Sequence, residues 1–188
     1  MTSSREEMWR LFVAIPLNDE VRTAATASAT LLQARLGRDG WRWVDPEMFH
    51  LTLAFLGNVP SSSAADLARR LETVATPASE VIARCGGVGA FPSGARARVV
   101  WYGVSDGGGE IRSLAARVKG LLGAADEAAF RPHITLARLK SHGTVDVRGG
   151  LDLAVPRSRL LVRSLVLYRS TSQFRRTRHE PIAVQPLA

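Results

Sequence analysis

The chain has 188 residues, of which 46% are hydrophobic and 22% charged, with a formal net charge of +8. That length is about one domain, enough to bury roughly 70% of the surface the unfolded chain exposes, and the composition is that of an ordinary soluble protein rather than a disordered or fibrous one. A single cysteine, Cys85, excludes an internal disulfide and fits a reducing compartment.

In chain order, "WRLFVAIPL" reads as a strand ending at Pro16. Its apolar run, Leu11 to Leu17, is broken by Pro16 and followed by acids, too short for a signal core, and no stretch approaches the roughly 20 apolar residues of a membrane helix. A soluble, cytoplasmic protein is expected. A helix is predicted over 19–36, with Asn18 as N-cap, Asp19 and Glu20 in the first turn, Gly37 as C-cap, and Val21, Ala25, Leu32 and Leu36 on one face. A short strand at 41–44, a turn containing Pro46 and a strand ending at Gly57-Asn58 come next, then a helix over 63–75. Strands at 80–85 and 98–104 flank the loop "GGVGAFPSGARAR", and Cys85 is expected to be buried and inert. The "SDGGGE" turn, which lacks the lysine of a phosphate loop, leads to a helix over 110–122; a strand starting near His133, a polar loop and strands near 151–155, 159–168 and 179–184 complete the chain.

One pattern occurs twice. Aligned on the histidine, residues 50–56 read HLTLAFL and residues 133–139 read HITLARL, identical at five of seven positions. Alternate residues of a strand share a face. His50, Thr52, Ala54 and Leu56 are therefore expected on one face, with Leu51, Leu53 and Phe55 behind; His133, Thr135, Ala137 and Leu139 repeat the arrangement. The apolar side anchors each strand, and two such strands facing each other bring two imidazoles and two hydroxyls to one cleft. Histidine titrates near neutrality, so one ring can serve as base while the other serves as acid, and the threonines can donate hydrogen bonds to phosphoryl oxygens. That set suits phosphodiester chemistry.

The same residues give the chain a resemblance to the 2H phosphoesterase superfamily, named for paired His-x-Thr-x motifs, and within it to the bacterial RNA 2′,3′-cyclic phosphodiesterases of the LigT/ThpR type, also called the 2′-5′ RNA ligase family. "RLFVAIPL", "WRWVDPEMFHLTLAFLGNV", "GAFPSGARARVVWYGV", "FRPHITLARLK" and "LVLYRS" carry the likeness along nearly the whole chain. The resemblance implies an α+β fold of two lobes related by a pseudo-twofold, each an antiparallel sheet with helices packed outside, in one domain over residues 1–188 with the catalytic cleft between the lobes. It further implies hydrolysis of an RNA-terminal 2′,3′-cyclic phosphate to a 2′-phosphate without metal or other cofactor, and in some members joining or cutting of 2′-5′ linkages. By the family pattern His50 is the proton donor to the leaving 3′ oxygen and His133 the base; the two motifs are too alike for the residues alone to assign these roles.

Arg131, in "RPH", is a candidate phosphate ligand because guanidinium matches phosphate geometry. Arg138 is expected on the opposite strand face, in a structural or rim role. Trp43, Phe49, Phe91 and Phe130 can stack on a base or pack in the core; Arg96, Arg98, Arg175, Arg176 and Arg178 can follow an RNA backbone or form a solvated face. His142 is expected to be exposed, and His179 stands where the family usually has tyrosine. Four scattered histidines, one cysteine and no HExxH or CxxC offer no metal site. The partners expected are RNA ends or small nucleotides bearing a 2′,3′-cyclic phosphate, met by a monomer without membrane attachment. Of the 25 basic residues 23 are arginine, which suits a polyanion, although coding bias accounts for it equally well. Two alternatives stay open: a phosphodiesterase for small cyclic nucleotides or 2′-5′ oligonucleotides, and a non-catalytic RNA-binding module.

Overall fold

The computed structural model describes residues 6–124, 130–173 and 176–188. Among these residues nine strands form a single sheet in which every ladder is antiparallel. They are β1 (Met8–Pro16), β2 (Trp41–Trp43), β3 (His50–Pro60), β4 (Val81–Phe91), β5 (Val99–Asp106), β6 (His133–Leu139), β7 (Ser158–Val162), β8 (Ser164–Gln173) and β9 (Arg176–Pro186). The helices are α1 (Asp19–Leu36), α2 (Ala64–Ala75), α3 (Gly108–Leu122) and the short α4 (Arg148–Leu151). Strand order is β7-β4-β5-β6-β3-β1-β8-β9, with β2 paired to β6.

The two strands carrying the repeated motif, β3 and β6, lie side by side at the centre, with three strands beyond each of them. This is the pseudo-twofold arrangement of two antiparallel halves. The halves meet edge to edge at β3 and β6, which brings both motifs to one face of the sheet. The junction is short: the two strands bridge at Leu51 and Ile134. Both residues are fully buried in the core, which lies between the sheet and the helices. There α1 packs on β6 and β7, α2 on β8 and β9, and α3 on β3, β4 and β5, with α2 against α3. Among the described residues no helix is long and apolar enough to cross a membrane.

Helix α1 has the predicted bounds, and Gly37 follows it with φ +75°. Asn18, however, makes no side-chain cap. Its amide donates to the Arg159 carbonyl and accepts from the Leu161 N–H, while Glu20 accepts from the Arg159 N–H, so the start of α1 is tied to β7. Two strand predictions change. Residues 151–155 form no ladder; Leu151, Leu153 and Val155 still pack against the core, so their alternation reflects burial without a strand partner. The run predicted over 159–168 divides at Arg163 into β7 and β8. Others lengthen: β9 extends to Arg176–Pro186, β4 continues through Gly86 and Gly87 by register shifts on either side of Cys85, and β3 continues past Gly57, whose φ of +73° accommodates the shift there. Cys85 is fully buried, and burial pushes its thiol up to about 12, leaving it protonated and inert as expected.

Candidate active site

Since Leu51 and Ile134 are opposite each other and both face the core, their neighbours face the other way. His50 and Thr52 of β3 therefore share the open face with His133 and Thr135 of β6, with Thr52 beside His133 and Thr135 beside His50. Diagonal cross-strand neighbours of this kind stand about 7–8 Å apart at their Cα atoms, a separation two imidazoles can bridge around one phosphate. His133 lies close enough to influence the titration of His50. All four side chains are half-buried, and among the described residues neither threonine hydroxyl is engaged in a hydrogen bond.

The two rings are held in the same way. His50 Nδ1 lies 2.8 Å from the Met48 carbonyl, and His133 Nδ1 lies 2.7 Å from the Arg131 carbonyl. A carbonyl only accepts, so each Nδ1 carries the hydrogen. The tautomer is thereby fixed, and each Nε2 is left to take up or deliver a proton. The local fold explains both bonds. Before β3 a short turn over Pro46–Met48 begins at Asp45, whose carboxylate accepts from the Glu47 N–H at 3.1 Å, and Arg22 Nη1 donates to the Pro46 carbonyl at 2.6 Å. Before β6, Pro132 is buried between Arg131, whose carbonyl meets the ring's Nδ1, and His133 itself. Arg131 itself precedes the strand and its side chain is exposed. Its visible contribution to the site is its carbonyl.

Each imidazole stands in an aromatic bay. His50 lies 4.9 Å from the Phe12 ring, 5.1 Å and edge-on from His179, and 6.4 Å from Tyr168. His133 lies 4.8 Å and edge-on from Phe91 and 6.3 Å from Trp101. Of the four aromatic candidates only Phe91 reaches this face. Phe49 is in the core, Trp43 and Phe130 pack against the core, and Phe130 also lies 5.2 Å under the Lys119 ammonium. Phe12, Trp101 and Tyr168 escaped the sequence reading; alternation gives each residue a face of its strand but not which strands meet beside the histidines. Trp101 lies flat because glycines stand beneath it: a Cβ at Gly89 would meet its ring at 2.2 Å and one at Gly103 at 2.7 Å. Gly89→Ala is expected to lift Trp101 away from His133 at an overpacking cost of about 1–3 kcal/mol, read as a lower melting temperature with altered tryptophan fluorescence.

The largest correction concerns Arg138. Strict alternation puts it behind the strand, but β6 carries a register shift: Trp101 pairs with Thr135, Val100 with Ala137 and Val99 with Arg138. Leu136 and Ala137 both enter the core, and Arg138 returns to the face of His133 and Thr135. The first motif has the same irregularity. Ala14 pairs with Thr52, Val13 with Ala54 and Phe12 with Phe55, so Ala54 is buried and Phe55, 49% exposed, lies on the site face. Phe55 and Arg138 are thus equivalent positions, both on the face of the two histidines. Arg96, Arg98, Arg178 and His142 are exposed; Arg175 and the side chain of Arg176 lie outside the described residues.

The site is electropositive. Burial is the main cause that lowers the His50 pKa from 6.5 to about 4, with the bond to Met48 opposing it and the charges of His179, Arg138 and His133 adding to it. Burial likewise lowers His179, against the opposing effect of the Arg178 backbone. His179 is therefore no remote substitution for a tyrosine; it is in ring contact with His50. A histidine with a depressed native pKa costs stability as pH falls. Below 6.5 the unfolded chain takes up a proton that native His50 refuses until about 4, so stability drops across that window by about 3 kcal/mol at most. His50→Gln is expected to flatten this part of the pH–stability curve; urea unfolding at pH 7 and pH 4.5 measures it, and an unchanged slope would refute the assignment.

Among the described residues no group of three histidine, cysteine, aspartate or glutamate side chains is arranged to hold a metal ion.

The family model of LigT-like phosphoesterases matches residues 15–101. The chain is 40% identical over 101 residues to the RNA 2′,3′-cyclic phosphodiesterase of Aeropyrum pernix, an alignment spanning 52% of this chain and 56% of that protein, little more than half its length. It is 38% identical over 146 residues to the protein of the same name from Thermus thermophilus, covering 70% of this chain and 69% of the relative. In structure it is similar to E. coli LigT complexed with 3′-AMP, with a TM-score of 0.74 at 26% identity over 97% of this chain and 99% of that one. With both motifs on one face of a shared fold, the chain belongs to the LigT-like phosphoesterases of the 2H superfamily.

Proposed function

We propose that the protein hydrolyses RNA-terminal 2′,3′-cyclic phosphates to 2′-phosphates by acid–base catalysis between His50 and His133. The observation that carries this reading is the matched pair of rings, each with Nδ1 pinned by the carbonyl two residues before it. Nε2 of His133 takes a proton from water as its oxygen attacks phosphorus. Nε2 of His50 delivers a proton to the 3′ oxygen as the P–O3′ bond breaks. Thr52, Thr135 and Arg138 stabilise the non-bridging oxygens as negative charge gathers on them. Arg131, on the exposed approach to β6, guides the phosphate inward. The curated relatives named for this reaction, and the 3′-AMP complex of E. coli LigT, support the substrate class. No step calls on a metal, because the two imidazoles supply both proton transfers.

The assignment of His50 as acid has an electrostatic requirement. With a pKa of about 4 it is neutral in the ligand-free protein at pH 7, so it must take up a proton from solvent as the substrate binds. An anionic phosphodiester offsets the positive charge of Arg138 and so raises the His50 pKa. The His50 limb is therefore expected at higher pH in the profile of kcat, which reports the complex, than in that of kcat/KM, which reports the free enzyme. A limb that stays in place, or moves down, would reverse the two roles.

A further inference from the structure

The catalytic face of β1 extends beyond the aromatic bay. The β1–β8 ladder runs from Ala14 to Arg10 without a register shift, so Arg10 shares the face of Phe12, two residues away. Its cross-strand neighbours are Asn58 and Ser170, polar but uncharged, and Ser170 in turn pairs with His179. Arg10 is exposed, and its charge depresses the pKa of Arg138, second only to burial. Arg138 likewise depresses His50. Among the described residues neither guanidinium has a carboxylate partner. Arg169, on the opposite face of the same strands, shows the contrast: it pairs with Glu7 at 2.5 Å and lies 4.2 Å over the Trp9 ring. Two like charges gathered beside the histidine pair without a counter-ion repel each other in the free protein, and that cost is relieved when an anion enters.

Along β1 the surface runs from His50 past the rings of Phe12 and Phe55, 6.1 Å apart, to Arg10. The order is reaction centre, apolar shelf, cation. A nucleotide with a phosphate at each end has the matching order. We propose that Arg10 forms a second phosphate subsite for the phosphodiester on the 5′ side of the terminal nucleotide. This rests on the reaction proposed above and sharpens its substrate: the site is built for the end of a polynucleotide rather than for a lone nucleoside cyclic phosphate.

The test is binding, independent of turnover. Calorimetry compares a nucleoside 2′-phosphate with the corresponding nucleoside 2′,5′-bisphosphate on the wild-type protein, on Arg10→Gln and on Arg10→Lys. A charge-assisted contact predicts that the wild type binds the bisphosphate about tenfold more tightly or better. Arg10→Gln should bind the two ligands alike, and Arg10→Lys should keep part of the preference. Equal affinities in the wild type, or a full preference retained by Arg10→Gln, would overturn the subsite. Binding of neither ligand by the wild type would overturn the subsite and the nucleotide site together, whereas failure to hydrolyse a cyclic phosphate with this preference intact would overturn only the reaction.

Discussion

His133→Ala is expected to lower kcat by roughly 10²–10⁴, and His50→Ala by a similar factor, because each removes one proton transfer from a reaction that needs two. The double variant should fall far short of the product of the single losses, since the rings act as a unit. Both side chains are half-buried on the open face of the sheet, away from the core of Leu51 and Ile134, so the variants should melt close to the wild type. Near wild-type turnover in either variant, with the fold confirmed by circular dichroism, would remove that residue from the chemistry.

Arg138→Ala should cost about 10–150-fold in kcat/KM, the equivalent of about 1.5–3 kcal/mol for a charge-assisted contact to phosphate. Arg138→Lys should recover only part, because an ammonium lacks the paired donors of a guanidinium. A second readout separates this role from mere packing. The Arg138 charge is one of the causes holding His50 down, so removing it should raise the His50 pKa above about 4 and move the corresponding limb of kcat/KM upward. A loss of activity with an unmoved limb would mean that Arg138 acts on substrate alone, and no loss would contradict its place in the site.

Most of the site could be read from residue order, and the exceptions have a common cause. Period-two alternation places His50 with Thr52 and His133 with Thr135, and it holds until the first register shift. Beyond that point it misplaces Ala54, Phe55, Ala137 and Arg138, because one extra residue in a strand exchanges its faces. No residue type in "LTLAFL" or "ITLARL" marks the shift, which shows only in the pairing with β1 and β5. Asn18 went the same way: it has the right residue type and position for a cap, yet β7 competes for its amide. The helices were legible because their apolar spacing and flanking glycines are local. The aromatic bays were not, since Phe12, Tyr168 and His179 come from three strands that meet only in the folded sheet.

The most direct test of the histidine pair as a cyclic phosphodiesterase is a single incubation. Purified protein in EDTA is given a short RNA ending in a 2′,3′-cyclic phosphate, and the product is resolved as the 2′- or the 3′-phosphate. Cleavage to the 2′-phosphate at full rate in chelator is the predicted result. A 3′-phosphate would reverse the orientation of substrate between His50 and His133; no turnover, or turnover that returns only when a divalent metal is added, would contradict acid–base catalysis by the pair.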